Sequence, residues 1–308
     1  MLGGAKRVSM ARHFINAAAR TGLETRLYSY ELDSMVPIAV VSSIIIGKRW
    51  SDPHIFEDLH TVITENDIDI MIPFVDGAVE IAARYPYQDC FSPVCTPLLA
   101  AMMFDKGIAA QLFERENIPV PRTYFRGAPR YPLIAKPRMG SASRGIKIVK
   151  SSADFRSIDP AQYLIQEYIE NKREYTVDCY VTRQGRILTV VPRERLETAG
   201  GEVTRTISVD RPDIIEQSMF IINTLKLTGA ITLQFLEDCT DGRVMLMEIN
   251  PRLGGGAVTA IAAGADIPSL IIDEALGNTL PDTVSWKPGT LVARYLQETV
   301  FNVNPNEK

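Results

Sequence analysis

Apolar positions in the first third of the chain fall into short runs separated by stretches with helical spacing. Val8, Ala11, Phe14, Ile15 and Ala18 recur three and four apart, which predicts a helix after the Gly3-Gly4 turn. Compact runs at Thr25–Tyr30, Ser43–Ile46 and Asp69–Phe74 predict strands, with a helix from Pro53 to about Asn66 between the last two. This alternation predicts a parallel sheet wrapped by helices. Beyond Pro119–Pro121 the rhythm changes. Tyr131–Lys136 and Ile146–Val149 are strand-like runs joined by small residues, followed by Tyr163–Tyr168, Glu174–Val181 and Arg186–Val191, with Gly185 at a hairpin turn. A helix is expected from Pro212 to Leu227. Two strong strands, Ala230–Glu237 and Val244–Asn250, turn across Asp241-Gly242, and short helices and a last strand near Thr290–Leu296 close the chain. This second region reads as antiparallel, and no internal repeat is present.

The 308 residues suggest two domains at roughly 150 residues each. Hydrophobic residues at 46% and charged ones at 23% exclude a disordered chain. A net charge of -4 leaves no basic excess for a nucleic-acid backbone, so nucleic acid is not the expected partner. The longest nearly apolar stretch, Met35 to Gly47, is broken by Ser42 and Ser43 and is shorter than the roughly 20 residues of a membrane span. The N-terminus lacks the layout of a secretory signal, so a soluble, cytoplasmic protein without membrane contact is expected. Cys90, Cys95, Cys179 and Cys239 show no CxxC spacing and read as free thiols. His13, His54 and His60 all lie in the first fifth, which disfavours zinc.

Three groups of residues could carry chemistry. The first is the loop from Lys136 through Gly140, Ser141, Ala142, Ser143 and Arg144 to Gly145. Its small residues leave backbone N–H groups able to face an anion, with a cation near each end. It is not a P-loop, because Ile146 stands where the lysine belongs, and a plain surface turn is the alternative. The second is Gln234, Glu248 and Asn250. Alternate strand residues share a face, so Glu248 and Asn250 point the same way and Gln234 joins them if the strands pair. These hard oxygen donors suit Mg²⁺. The alternative is an edge strand with solvated polar residues, although Met245, Leu246, Met247 and Ile249 make the strand read as central. Arg252 follows at once. The third, Tyr163 to Glu170 with Glu167 and then Glu174, reads by itself as a half-buried strand and a charged turn. Gly3-Gly4 lacks the G-x-G-x-x-G spacing of a dinucleotide loop, Asp76 is either a ligand contact or a helix cap, and Gly254–Gly256 either binds a carboxylate or packs closely.

The order of these pieces resembles the ATP-grasp superfamily, and within it the stand-alone proteins similar to the large subunit of carbamoyl-phosphate synthase. The resemblance covers essentially the whole chain. It implies an α/β ATP-grasp fold, α+β in its C-terminal part. A Rossmann-like N-terminal domain is expected at 1–105, a lid subdomain with the glycine-rich loop at 106–172, and an antiparallel C-terminal subdomain with the metal and phosphate site at 173–308. Only Met1 and Leu2 stand where the family's first strand is expected, so the sheet edge there is short or that strand begins upstream.

On the family pattern, Lys106 and Lys136 are the two nucleotide-binding lysines, and Gly140, Ser141, Ser143 and Gly145 belong to the phosphate loop with Arg144. Glu167, with the backbone of Tyr168 and Ile169, meets the adenine, and Glu174 the ribose. Gln234, Glu248 and Asn250 hold metal, and Arg252 is the phosphate-binding arginine. The segment Pro192 to Glu202 also looks like this subgroup. The implied activity is ligation of a carboxylic acid to an amine with ATP and Mg²⁺, or Mn²⁺, through an acyl phosphate. Phosphorylation of carbamate or bicarbonate, and ATP sensing without catalysis, stay open. A homodimer is common among similar proteins.

Overall fold

The computed structural model describes residues 1–124, 130–140 and 144–302. Two compact units divide the chain: Met1–Pro93 with Asp266–Leu280 and the C-terminal segment from Arg294, and Val94–Ala265 with Pro281–Ala293.

In the first unit, helix α1 (Val8–Arg20) buries Met10, Ala11, Phe14, Ala17 and Ala18, the stripe its spacing predicts. Strand β1 (Tyr28–Glu31) pairs in parallel with β2 (Ser43–Ile46), and α2 (Ile55–Glu65) and α3 (Asp76–Arg84) follow. The run at Asp69–Phe74 forms isolated bridges rather than a full strand: Leu2 bridges both Tyr30 and Pro73 in parallel, and Ile70 bridges Phe91. The pairing at the N-terminus is short, a one-residue bridge at Leu2, but it is not an edge, since Met1–Gly3 lies between β1 and residues 72–74. Leu2 donates to Ile72 and accepts from Phe74, while the Met1 carbonyl accepts from Tyr30. Nearby, the Gly4 and Ala5 N–H groups reach the buried Glu31 carboxylate, so that side chain occupies the donors a dinucleotide phosphate would need.

The second unit opens with α4 (Pro97–Phe104) and α5 (Lys106–Arg115). A three-stranded antiparallel sheet is built from β3 (Leu133–Pro137), β4 (Lys147–Val149) and β5 (Tyr163–Glu167), with α6 (Ser152–Arg156) between the last two and β3 in the middle. A six-stranded sheet comes next: β6 (Lys172–Val181), β7 (Ile187–Ala199), β8 (Glu202–Ser208), β9 (Gly229–Asp238), β10 (Val244–Asn250) and β11 (Leu291–Ala293), in the order β10-β9-β6-β7-β8-β11. All its pairings are antiparallel. Helix α7 (Pro212–Leu225) packs on β7, and α8 (Val258–Ala262) touches β7 and β8.

Strand β10 ends this sheet, which corrects its reading as a central strand. Its apolar residues are nevertheless buried. Leu246 and Ile249 join a core with Phe113 of α5, Ile221 of α7, and Val177 and Phe235 of the sheet. The outer edge is tied off where Leu246 N donates to Pro119 O at 2.7 Å.

Candidate functional site

The site is built on the other face of the six-stranded sheet. Residues directly opposite in neighbouring strands point to the same side. Glu248 faces Gln234, Gln234 faces Thr176, and Thr176 faces Arg193, forming one row across four strands. In the next row Asn250 faces Thr232, which faces Asp178. The structure therefore brings Gln234, Glu248 and Asn250 together.

A register shift between Leu246 and Glu248 decides this outcome. Strict alternation would put those two residues on one face. The bulge leaves Met247 as the extra residue, so Leu246 enters the apolar core opposite Phe235 while Glu248 turns to the polar side opposite Gln234.

Lys106 reaches the same place from the first residue of α5. Asp105 caps that helix, accepting from Gly107 N and Ile108 N, and takes two hydrogen bonds from Arg138 at the end of β3. Burial pushes the Asp105 carboxyl up, but the bonds from Arg138, Ile108 and Gly107 outweigh it and hold it below its usual range. Gly107 leaves room for that guanidinium, since a Cβ there would lie 2.6 Å from Arg138 Nε. So placed, Lys106 Nζ lies 3.7 Å from Glu248 Oε1 and donates to Gly140 O at 2.6 Å.

Lys136 donates to Gln166 Oε1 at 3.0 Å. Burial lowers its ammonium to about 8; Glu248 and Glu174 pull it back up, and Lys106 and Lys172 push it down. A lysine so desolvated among both signs of charge is ready to be recharged by an anion. Lys106, Leu164, Gln166, Leu246, Met247 and Glu248 help to line a narrow cleft.

The remaining candidates lie around this centre. Arg252 donates to Asn250 Oδ1 at 3.3 Å. Glu174 pairs with Arg195 at 3.5 Å. Glu167 Oε1 accepts from Arg122 N and from Arg243, so it has protein partners of its own. Tyr168 N donates to Pro132 O, and Ile169 is buried with Leu236, Met245 and Met247 in a small apolar cluster. Gly140, Arg144 and Gly145 are exposed, with positive φ at both glycines. Ser141, Ala142 and Ser143 lie outside the described residues. Of the Gly254–Gly256 N–H groups, that of Gly254 is taken by Thr232 Oγ1 at 2.9 Å.

Among the described residues no group of three or more His, Cys, Asp or Glu could hold a metal ion. Gln234, Glu248 and Asn250 offer one carboxylate and two amide oxygens. That set fits a Mg²⁺-type ion only as a partial shell completed by water and phosphate oxygens, and the Lys106 ammonium beside Glu248 shows a cation already favoured there.

Several further residues on or around this face belong to no motif. Gln166 and Lys172 contact or influence Lys136; Asp178, Arg193 and Arg195 extend the polar face beyond the proposed metal donors. The signal was period two: Lys172, Glu174, Thr176 and Asp178 alternate along one strand, as do Arg193 and Arg195 along the next.

A family description, "ATP-grasp in the biosynthetic pathway with Ter operon", matches residues 159–298. The chain is 26% identical over 171 residues to the carbamoyl phosphate synthase large chain of Bifidobacterium adolescentis, a match covering 49% of this chain and 15% of that one. The corresponding protein of Streptomyces griseus is also 26% identical over 171 residues, covering 49% of this chain and 16% of the relative. The chain thus spans about a sixth of the length of these relatives. Among solved structures, biotin carboxylase of Campylobacter jejuni superposes with a TM-score of 0.71 at 18% identity, over 90% of this chain and 71% of that one. N5-carboxyaminoimidazole synthetase of Staphylococcus aureus, complexed with ADP, gives 0.72 at 16% identity, over 92% and 78%. The biotin carboxylase domain of Hydrogenobacter thermophilus 2-oxoglutarate carboxylase, in complex with MgADP and bicarbonate, gives 0.70 at 17% identity, over 88% and 68%. Among the described residues no helix is long and apolar enough to cross a membrane.

Proposed function

Since the chain is an ATP-grasp protein resembling the carbamoyl phosphate synthase large chain, we propose that it is an ATP- and Mg²⁺-dependent ligase joining a carboxylic acid to an amine. The observation that carries this reading is the convergence of Lys106, Lys136 and Arg252 on the face of the six-stranded sheet that bears Gln234, Glu248 and Asn250, all within one unit. That is the equipment of phosphoryl transfer, in which a protein mainly positions groups and neutralises charge.

We assign the adenine to the apolar cluster of Ile169, Leu236, Met245 and Met247, beside Glu167 and the backbone of Tyr168, and the ribose to Glu174. The phosphates fall to Lys106, Lys136 and the loop bearing Gly140, Arg144 and Gly145. A divalent ion at Gln234, Glu248 and Asn250 would offset charge on the transferring phosphate. A carboxylate oxygen of the acid bonds to the γ-phosphorus while the bond to ADP breaks. Arg252 stabilises the resulting acyl phosphate. The amine then bonds to the acyl carbon, phosphate leaves with the C–O electron pair, and the amine sheds a proton. No side chain serves as a covalent nucleophile.

The test is interception. With the correct acid, ATP and Mg²⁺ but no amine, hydroxylamine should yield a hydroxamate and ADP in equal amounts, and ¹⁸O from labelled carboxylate should appear in the released phosphate. AMP in place of ADP, with unlabelled phosphate, would show adenylation and overturn the mechanism. The bicarbonate in one structural neighbour favours a second reading, phosphorylation of bicarbonate, which would show as bicarbonate-stimulated ADP release without hydroxamate from any acid.

A further inference from the structure

Beyond the residues assigned to ATP and metal, the polar face continues to Arg193, two strands from Gln234. Arg193 is only 2% exposed. Its Nε donates to Asp178 Oδ2 at 2.7 Å, so its charge is balanced. Its Nη1, however, has no hydrogen-bond partner among the described residues, and neither has Oγ1 of Thr176, the residue opposite it. Leaving a buried donor on a charged group unmade costs free energy, and native structures keep few such atoms. The guanidinium lies against the backbone of Gly256, where a Cβ would stand 2.7 Å from Nη1 and 2.8 Å from Cζ. Arg195, next on the same face, places its Nε 3.5 Å from Glu174 as an ion pair without a hydrogen bond, and its Nη2 donates to Gly201 O at 3.3 Å.

The neighbouring loop is held to the same pair. Thr232 Oγ1 lies 3.4 Å from Asp178 Oδ1, accepts from Gly254 N and meets Arg252 O at 2.9 Å. The ion pair therefore stands directly beneath the loop bearing Arg252, with one donor unspent.

We propose that Arg193 Nη1, with Thr176 and Arg195 beside it, forms a subsite for a second anionic group on the acid substrate. The substrate class follows: an acid with two anionic ends, one phosphorylated at the metal end of the row and the other held by Arg193. At backbone level three strand spacings, roughly 14 Å, separate Glu248 from Arg193 and two, roughly 10 Å, separate Gln234 from it, less whatever the arginine side chain bridges. This inference rests on the ligase reading for which end reacts, but not for whether the second end binds.

Binding can be measured without turnover. Calorimetric titration of the protein with MgADP present should show glutarate, adipate or pimelate binding at least tenfold tighter than pentanoate, hexanoate or heptanoate of equal length. Gly256→Ala would place a methyl within 3 Å of the guanidinium and push it aside; it should erase that preference and leave MgADP affinity unchanged. Arg195→Gln should reduce the preference severalfold and provides a second variant if Gly256→Ala fails to fold. Equal affinity for di- and monocarboxylates in the wild-type protein, or an undiminished preference in a folded variant, would overturn the subsite. Failure of the hydroxamate trap with a tightly bound dicarboxylate would instead overturn the ligase reading and leave the subsite standing.

Discussion

The two faces of the six-stranded sheet are made by the same strands and are both largely buried, yet they are held by different physics. On one face Val177, Ile231, Leu233 and Phe235 lie wholly inside a contiguous apolar core against α5 and α7. Burial there is favourable by itself, about 25 cal/mol for each Å² of apolar surface removed from water. On the other face Thr176, Asp178, Arg193 and Thr232 are at most 2% exposed, and each polar group there must find a partner or bear a desolvation cost. Asp178 and Arg193 find each other; Thr176 Oγ1 and Arg193 Nη1 find none among the described residues. One face thus supports the fold and the other holds chemistry in reserve.

Substitutions should separate the two. Phe235→Ala, at a fully buried position, should cost about 3–5 kcal/mol of stability, read as a lower denaturant midpoint, while the folded fraction binds MgADP unchanged. An equal loss of nucleotide affinity in the folded fraction would mean the faces are not independent. In the opposite direction, Glu248→Ala and Lys136→Ala should each slow ADP release a hundredfold or more, on the order of 3 kcal/mol in the barrier, with circular dichroism unchanged. Near-normal turnover in both would remove the reaction from this face.

A finer test uses protons. Lys136 is lowered to about 8 in the folded chain from its ordinary 10.5, so between those values the unfolded chain binds the proton that the folded chain has released. This contribution destabilises fully below pH 8 and is relieved as pH rises toward 10.5. Stability should gain with pH in that window, and Lys136→Met should lose that gain. Bound phosphates should restore the ammonium. MgATP binding near pH 8.5 should therefore take up a fraction of a proton, visible as a dependence of calorimetric enthalpy on buffer ionisation heat. No buffer dependence would place Lys136 away from the phosphates.

Much of the fold was legible because hydrophobic period and turn residues are local. The limits of β2 agree with the predicted run, and Gly185 and Gly242 turn the chain with positive φ where the reading put hairpins. The apolar content of Asp69–Phe74 predicts a strand, but its pairing depends on residues far away in the chain and takes the form of isolated bridges. The site was partly legible in the same way. Glu248 and Asn250 share a face by alternation alone, and Gln234 joins them because β9 and β10 are consecutive strands joined by a short turn.

The sequence by itself determined which residue types are available and the local periods that set helices, strands and turns, since these depend on neighbours a few positions apart. Tertiary structure alone decided the rest. The bulge at Met247 sends Leu246 to the core and Glu248 to the site, a choice made by the pairing of two strands. The Arg138–Asp105 pair sets Lys106 beside Glu248 across more than a hundred residues of chain. Arg193 and Asp178 meet on adjacent strands, and only their burial makes an unspent donor costly enough to mean something. These outcomes depend on register, burial and long-range partners, which are properties of the packed molecule and not of any short segment of it.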